Sequence, residues 1–293
     1  MLRLPNGHEF EIACAAGALG WAGDGYPWER PFVFARVIRP NAFTIITKTL
    51  TTEPRAGNYR RWAPWRCFRV LSGGNYVNAV GLTNKGLDWW VKTHYPRVEK
   101  LADKRKVIVS VMPKDPDDAA VIGNTLGKLP AIVGVELNAS CPNVPHDGVA
   151  QHLRKTTVAL IESCKHPVIV KLGWEQPIEE IVTTLDKDGV AAWDLINAVK
   201  WETIFPHKKS PLAKYGYNGA VSGPVIRFYA LEALCRIKRV TPRAPFISGG
   251  GISNAKDAEH RLKLGVSAVT VGVRFLRNML SPNQIASQLQ RVR

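Results

Sequence analysis

Eight short apolar runs separated by amphipathic stretches limit what this chain can fold into more than any other feature. They fall at residues 11–15, 43–47, 107–112, 133–137, 168–172, 193–197, 245–248 and 268–273. Several, such as VIVSVM, VIVKL and AVTVGV, are almost continuously apolar. That pattern suits strands buried on both faces of a parallel sheet covered by helices. Stretches 87–101, 117–129, 149–164, 178–187, 225–240 and 255–264 read as the helices between them, several closed by Gly or Pro. A regular βα alternation with about eight strands points to a closed (β/α)8 barrel. Such a barrel takes about 250 residues, so one domain spanning 1–293 accounts for the chain, with no linker or solenoid repeat.

Composition narrows the setting. Hydrophobic residues make up 45% and charged residues 22%, as in a folded globular protein. No segment approaches the ~18 unbroken apolar residues of a membrane span. The start MLRLPNGHEFEIACAAG is interrupted by Glu9 and Glu11 and does not read as a signal peptide, so a cytoplasmic location is expected. The five cysteines and seven histidines are dispersed without metal-ligand or disulfide spacing, so no protein-held metal is expected. Cys14, Cys164 and Cys235 lie in apolar patterns and read as packing residues. The formal charge of +16 implies a field that attracts anions, and the simplest reading is a solvated basic surface.

A barrel carries its chemistry at the C-terminal ends of its strands. Those ends hold Ala15-Ala16-Gly17, Lys48, Asn138 leading to Cys141, Lys171, Asn197, Gly249 to Gly251, and Gly272. The long excursions 49–105 and 200–222 should lie over the same mouth. SGGGIS after the seventh strand, VGVR after the eighth and a helix starting near Asn254 make a phosphate site, to which Gly223 adds a backbone donor. Lys48 and Lys171 border apolar runs and need anionic or acceptor partners, which a flavin's pyrimidine edge offers. Cys141, before the stiffening Pro142, sits where a thiolate could act as a base. Asn78, Asn138, Asn143 and Asn197 supply amide donors and acceptors suited to a planar pyrimidine.

These residues occur in pieces, ACAAGALG, TKTLTTEPRAGN, NAVGLTNKG, VELNASCPN, VIVKLG, LINA, VSGP, ISGGGI and VTVGV, whose order resembles the dihydroorotate dehydrogenase family over nearly the whole chain. The cysteine of NxxCPN resembles the base of that family's soluble class, where the membrane-associated class has serine. The resemblance implies oxidation of dihydroorotate to orotate, with Cys141 and Lys48 at the reacting ring. It implies substrate contacts from Lys48, Asn78, Gly81, Leu82, Asn138, Asn143 and Asn197. It implies an FMN site formed by Ala16, Gly17, Lys48, Lys171, Gly223, Gly250, Gly251, Gly272 and Val273. Ala198 stands where the family usually has Ser or Thr, Ala16 where it has Ser, and GNYRRW lacks its usual Pro-Arg.

The resemblance further implies a homodimer and a separate iron–sulfur flavoprotein that passes electrons to NAD, with fumarate as the other acceptor open. The chain itself carries no GxGxxG after a strand and no cysteine cluster. Two other readings stand beside this one. The protein also resembles the FMN-dependent tRNA dihydrouridine synthases in its barrel and NxxCP motif, although Asn143 and NAVGLTNKG suit a free pyrimidine better, so nucleic acid is not expected as a partner. A catalytically silent basic binding barrel is the third.

Overall fold

The computed structural model describes residues 1–140, 150–241, 244–272, 275, 278 and 280–291. The expected site residues Cys141, Asn143 and Val273 lie outside them. Eight parallel strands close a barrel in chain order: β1 Ile12–Cys14, β2 Thr44–Ile46, β3 Val107–Val111, β4 Gly134–Asn138, β5 Val168–Leu172, β6 Ala192–Leu195, β7 Phe246–Ser248 and β8 Ala268–Val271. Strand β8 pairs with β1, so the ring has no edge.

Period-two alternation divides each strand between two cores. Val107, Val109, Val135, Val168 and Val170 face outward and pack in the large cluster with the surrounding helices. Ala13, Ile46, Ile108, Ile169, Ala192, Ile247 and Ala268 share a second cluster inside the ring. There they meet Leu2, Leu4 and Phe10 of an N-terminal hairpin, in which Leu2–Arg3 pairs antiparallel with Glu9–Phe10. The hairpin therefore plugs the ring at the N-terminal ends of its strands.

The principal helices are α1 Leu87–Thr93, α2 Tyr95–Lys100, α3 Pro116–Leu126, α4 Ala150–Ser163, α5 Ile178–Leu185, α6 Arg227–Val240, α7 Ala255–Lys263 and α8 Ser281–Arg291. Local chemistry sets several boundaries. Asp115 caps α3 by accepting from Asp118 N at 2.8 Å, and Asn254 caps α7 by accepting from Asp257 N at 3.0 Å. The expected single helix over 87–101 is instead α1 and α2, because Pro96, the second residue of α2, has no N–H to donate one turn back. Helix α8 was not expected from the sequence.

The two long excursions join into one antiparallel sheet, Val199–Lys200, Ala220–Ser222, Tyr76–Asn78 and Phe68–Val70 in that order. Both begin at C-terminal strand ends, so the sheet covers the expected side of the barrel. Among the described residues no helix is long and apolar enough to cross a membrane.

Candidate active site

Inward register carries four polar side chains into the barrel one layer above the aliphatic cluster. Ser110 follows Ile108 by two residues on β3, Glu136 follows Gly134 on β4, Lys171 follows Ile169 on β5 and Asp194 follows Ala192 on β6. All four are buried. Ser110 Oγ donates to Glu136 Oε1 at 2.8 Å. Lys171 Nζ lies 3.3 Å from Asp194 Oδ2 and 3.9 Å from Glu136 Oε2. Burial pushes the Glu136 carboxyl up to about 7, with the neighbouring Asp194 adding to the rise and Lys171 opposing it. Glu136 therefore keeps its proton up to about neutral pH beside the Lys171 ammonium. Lys171 thus has acidic partners within the barrel, beyond any that a flavin supplies.

A hydrogen-bond chain runs from this floor to the strand ends. Asn197 Nδ2 donates to Asn138 Oδ1 at 3.1 Å, and Asn138 Nδ2 donates to Thr49 Oγ1 at 2.9 Å. Thr49 Oγ1 and Ser110 Oγ are 2.9 Å apart. Because Thr49 accepts from Asn138 and Ser110 donates to Glu136, the Thr49 hydroxyl proton points to Ser110. The chain therefore runs one way, from carboxamide to carboxyl. Asn197 Nδ2 also donates to Ser140 O at 3.1 Å, and Ala198 N donates to Asn197 Oδ1 at 2.9 Å. Counting partners among the described residues, the Asn138–Asn197 pair retains one N–H and unused acceptor capacity on both carbonyl oxygens.

Asn78 ends a strand of the covering sheet, and Gly81 and Leu82 follow it in a turn. Gly81 and Leu82 both have left-handed backbone, with φ of +66° and +58°. For leucine this conformation is strained, and it persists because Asn84 holds the turn: its Nδ2 donates to Leu82 O at 2.7 Å while its Oδ1 accepts from Gly86 N at 2.9 Å. Among the described residues no side-chain hydrogen bond ties Asn78 to the Asn138–Asn197 pair. Lys48, half-buried beyond β2, holds its ammonium 5.8 Å from the Trp21 ring centre. Ala16 and Gly17 follow β1, and a Cβ at Gly17 would lie 3.5 Å from Lys48 Cα.

The turn after β7 has the features of an anion site. Gly249 N donates to Leu195 O, but the N–H groups of Gly250, Gly251 and Ile252 have no acceptor among the described residues. Gly251 has φ +76°, and a Cβ there would lie 2.7 Å from Arg227 Cα, so only glycine lets the turn approach the start of α6. Successive free N–H groups beside two helix N-termini suit a phosphate. Gly272, after β8, abuts Ala15 across the β8–β1 seam. Gly223 has a packing reason of its own, since a Cβ would meet Asn75 Cα and Gly74 O at 2.8 Å.

Cys14 and Cys164 are buried, as packing residues should be, and Cys67 is buried as well. Cys235 corrects the expectation: it is exposed, because it is rotated about 100° from Leu234 and further still from the other members of the buried stripe, Ala230, Ala233 and Ile237. Sequence reasoning missed Thr49, Ser110, Glu136 and Asp194. Ser110, Glu136 and Asp194 are polar residues set within otherwise apolar strands, and Thr49 lies just beyond β2.

Comparison with known proteins agrees with this geometry. A family model described as dihydroorotate dehydrogenase matches residues 34–292. A protein of Desulforudis audaxviator, the catalytic subunit of dihydroorotate dehydrogenase B (NAD(+)), is 32% identical over 84% of this chain and 79% of its own. The corresponding subunit of Bacteroides thetaiotaomicron is 34% identical over 78% and 74%. A crystal structure of DHODH from Eimeria tenella, solved with ferulenol, superposes with a TM-score of 0.75 over 97% of this chain and 81% of that one. At 18% identity that likeness concerns the fold alone.

Proposed function

Because this chain belongs to the dihydroorotate dehydrogenase family, we propose that it oxidises dihydroorotate to orotate at the strand ends described above, with FMN as cofactor and Cys141 as base. The observation that carries this reading is the joining of three features at one end of the barrel. These are a turn with free N–H donors, a carboxamide pair with spare hydrogen-bonding capacity, and a lysine held over buried carboxyls.

The residues present fit FMN. Gly250 and Gly251 would hold its phosphate, with Gly223, Gly272 and Val273 alongside, while Ala16, Gly17, Lys48 and Lys171 would line the ring. Bound FMN supplies the acceptor for the substrate's hydride. The protein's own part is to bind, orient and deprotonate. The remaining donor of Asn138 and the spare acceptors of Asn138 and Asn197 match the alternating N–H and C=O groups of a dihydropyrimidine. Asn78, Gly81, Leu82 and Asn143 would complete the enclosure, and Lys48 would offset charge on the substrate. Cys141 lies three residues beyond Asn138 in the sequence. As a thiolate it would take the proton from C5 as the ring becomes unsaturated. Catalytic-subunit relatives named for NAD(+) support a separate electron-transfer partner for this chain, and a homodimer belongs to the same reading.

The test is anaerobic mixing of the flavin-loaded protein with dihydroorotate, followed by the yellow flavin absorbance. Bleaching is expected, and Cys141→Ser should slow it by at least about 100-fold at neutral pH. Persistent colour in the unmodified protein refutes the substrate, and equal rates in both proteins remove Cys141 from the mechanism.

A further inference from the structure

Two arginines sit directly beneath the turn after β7, and among the described residues one carboxylate is paired with them. Arg227 Nη2 lies 2.8 Å from Asp257 Oδ2, which also accepts from Ser253 N at 2.8 Å. Arg261, on α7, is 2% exposed and has no ion pair among the described residues. Its Nη1 donates to Ser248 Oγ at 3.3 Å, and its Nη2 donates to Gly250 O at 3.1 Å and Arg227 O at 3.3 Å. Burial, with Arg227 adding to it, pulls the Arg261 guanidinium down to about 10, so it stays charged at neutral pH. The cluster therefore carries surplus positive charge in a place where charge is costly.

The orientation of the two guanidiniums shows what this charge faces. Arg261 holds Gly250 O, and Arg227 Nε and Nη2 both hold Gly251 O at 3.3 Å. In a trans peptide the carbonyl and the following N–H point in opposite directions. Fixing these two carbonyls on the arginine side therefore turns the N–H groups of Gly251 and Ile252 away from it, and both lack an acceptor among the described residues. The arginines thus aim the donors and place uncompensated charge behind them.

We propose that Arg261 is a positioning residue that gives the site its selectivity for a phosphorylated flavin, acting through the Gly250 peptide and through its buried charge without touching the ligand. The inference rests on the phosphate reading of the glycine turn. Riboflavin shares the ring system of FMN but lacks the phosphate, so the two ligands separate ring binding from phosphate binding.

The experiment measures FMN and riboflavin dissociation constants by fluorescence quenching, using flavin-stripped full-length protein and its Arg261→Met variant. The unmodified protein should prefer FMN. The variant should lose at least about tenfold of that preference, with riboflavin affinity changed less than about twofold. If the unmodified protein binds both flavins equally, the phosphate reading fails and takes the inference with it. If it prefers FMN and the variant keeps the same preference, the phosphate reading stands and the role of Arg261 is overturned. Should Arg261→Met not fold, Arg261→Gln removes the charge while keeping a hydrogen-bond donor, and retention of the full FMN preference there is equally decisive against the inference.

Discussion

Glu136→Gln tests the proton-holding floor of the barrel. The substitution preserves shape, and the new amide oxygen still accepts from Ser110 Oγ, which is 2.8 Å from Glu136 Oε1. It removes a carboxyl that burial and Asp194 push from 4.5 to about 7. A carboxyl that holds its proton more tightly in the folded state favours folding at acid pH. That advantage is lost as pH rises from the unfolded value through the folded one, here from 4.5 to about 7. At about 1.36 kcal/mol per pH unit, the window is worth about 3 kcal/mol. Below pH 5 the two proteins should therefore be nearly equal in stability. Above pH 7.5 the variant should be the more stable by about 3 kcal/mol, because the unmodified floor then holds two carboxylates against one ammonium. Urea unfolding of both flavin-stripped proteins at pH 5, 6, 7 and 8 gives the difference directly, and other titrating groups cancel in it. A difference that does not vary with pH, or an unmodified protein that is the more stable at pH 8, would refute the raised Glu136 carboxyl.

Two further outcomes follow from the geometry. Asn197→Ala deprives Asn138 Oδ1 and Ser140 O of their shared donor, so flavin reduction by dihydroorotate should slow by about 10- to 100-fold in stopped-flow absorbance with FMN content unchanged. Asp24→Asn removes the carboxylate 2.6 Å from Arg105 Nη1, whose side chain is 8% exposed, and should lower stability by about 3 kcal/mol in urea unfolding.

The ring was legible because its strands are sheathed on both sides. Runs such as VIVSV and VIVKL have no amphipathic alternation to mistake for a surface strand, and the helices between them announce themselves by their stripes. The same sheathing hid the floor of the site. Glu136 between Val135 and Leu137, and Asp194 between Trp193 and Leu195, looked like interruptions in a core run. Only their inward register, set by pairing across the ring, reveals them as partners of Lys171. Asn138 and Asn197 were legible as strand-end residues, but their direct bond was not, because it joins positions 59 apart through the β4–β5–β6 register. Helix α8 escaped because its buried apolar stripe, Ile285, Ala286 and Leu289, is short within a largely polar segment, although Ser281-Pro282 is an ordinary way for a helix to start.

The N-terminal hairpin has a consequence for how the ring is assembled. Leu2, Leu4 and Phe10 find their neighbours on strands drawn from the whole length of the chain, as far as Ala268. Their apolar surface is therefore covered only once strands as distant in sequence as Ala268 have joined the ring. A solvent-sensitive dye attached near Phe10 would accordingly report completion of the cylinder, and a bulky fusion spliced into that hairpin would slow its closure more than the same cargo on the outer helices.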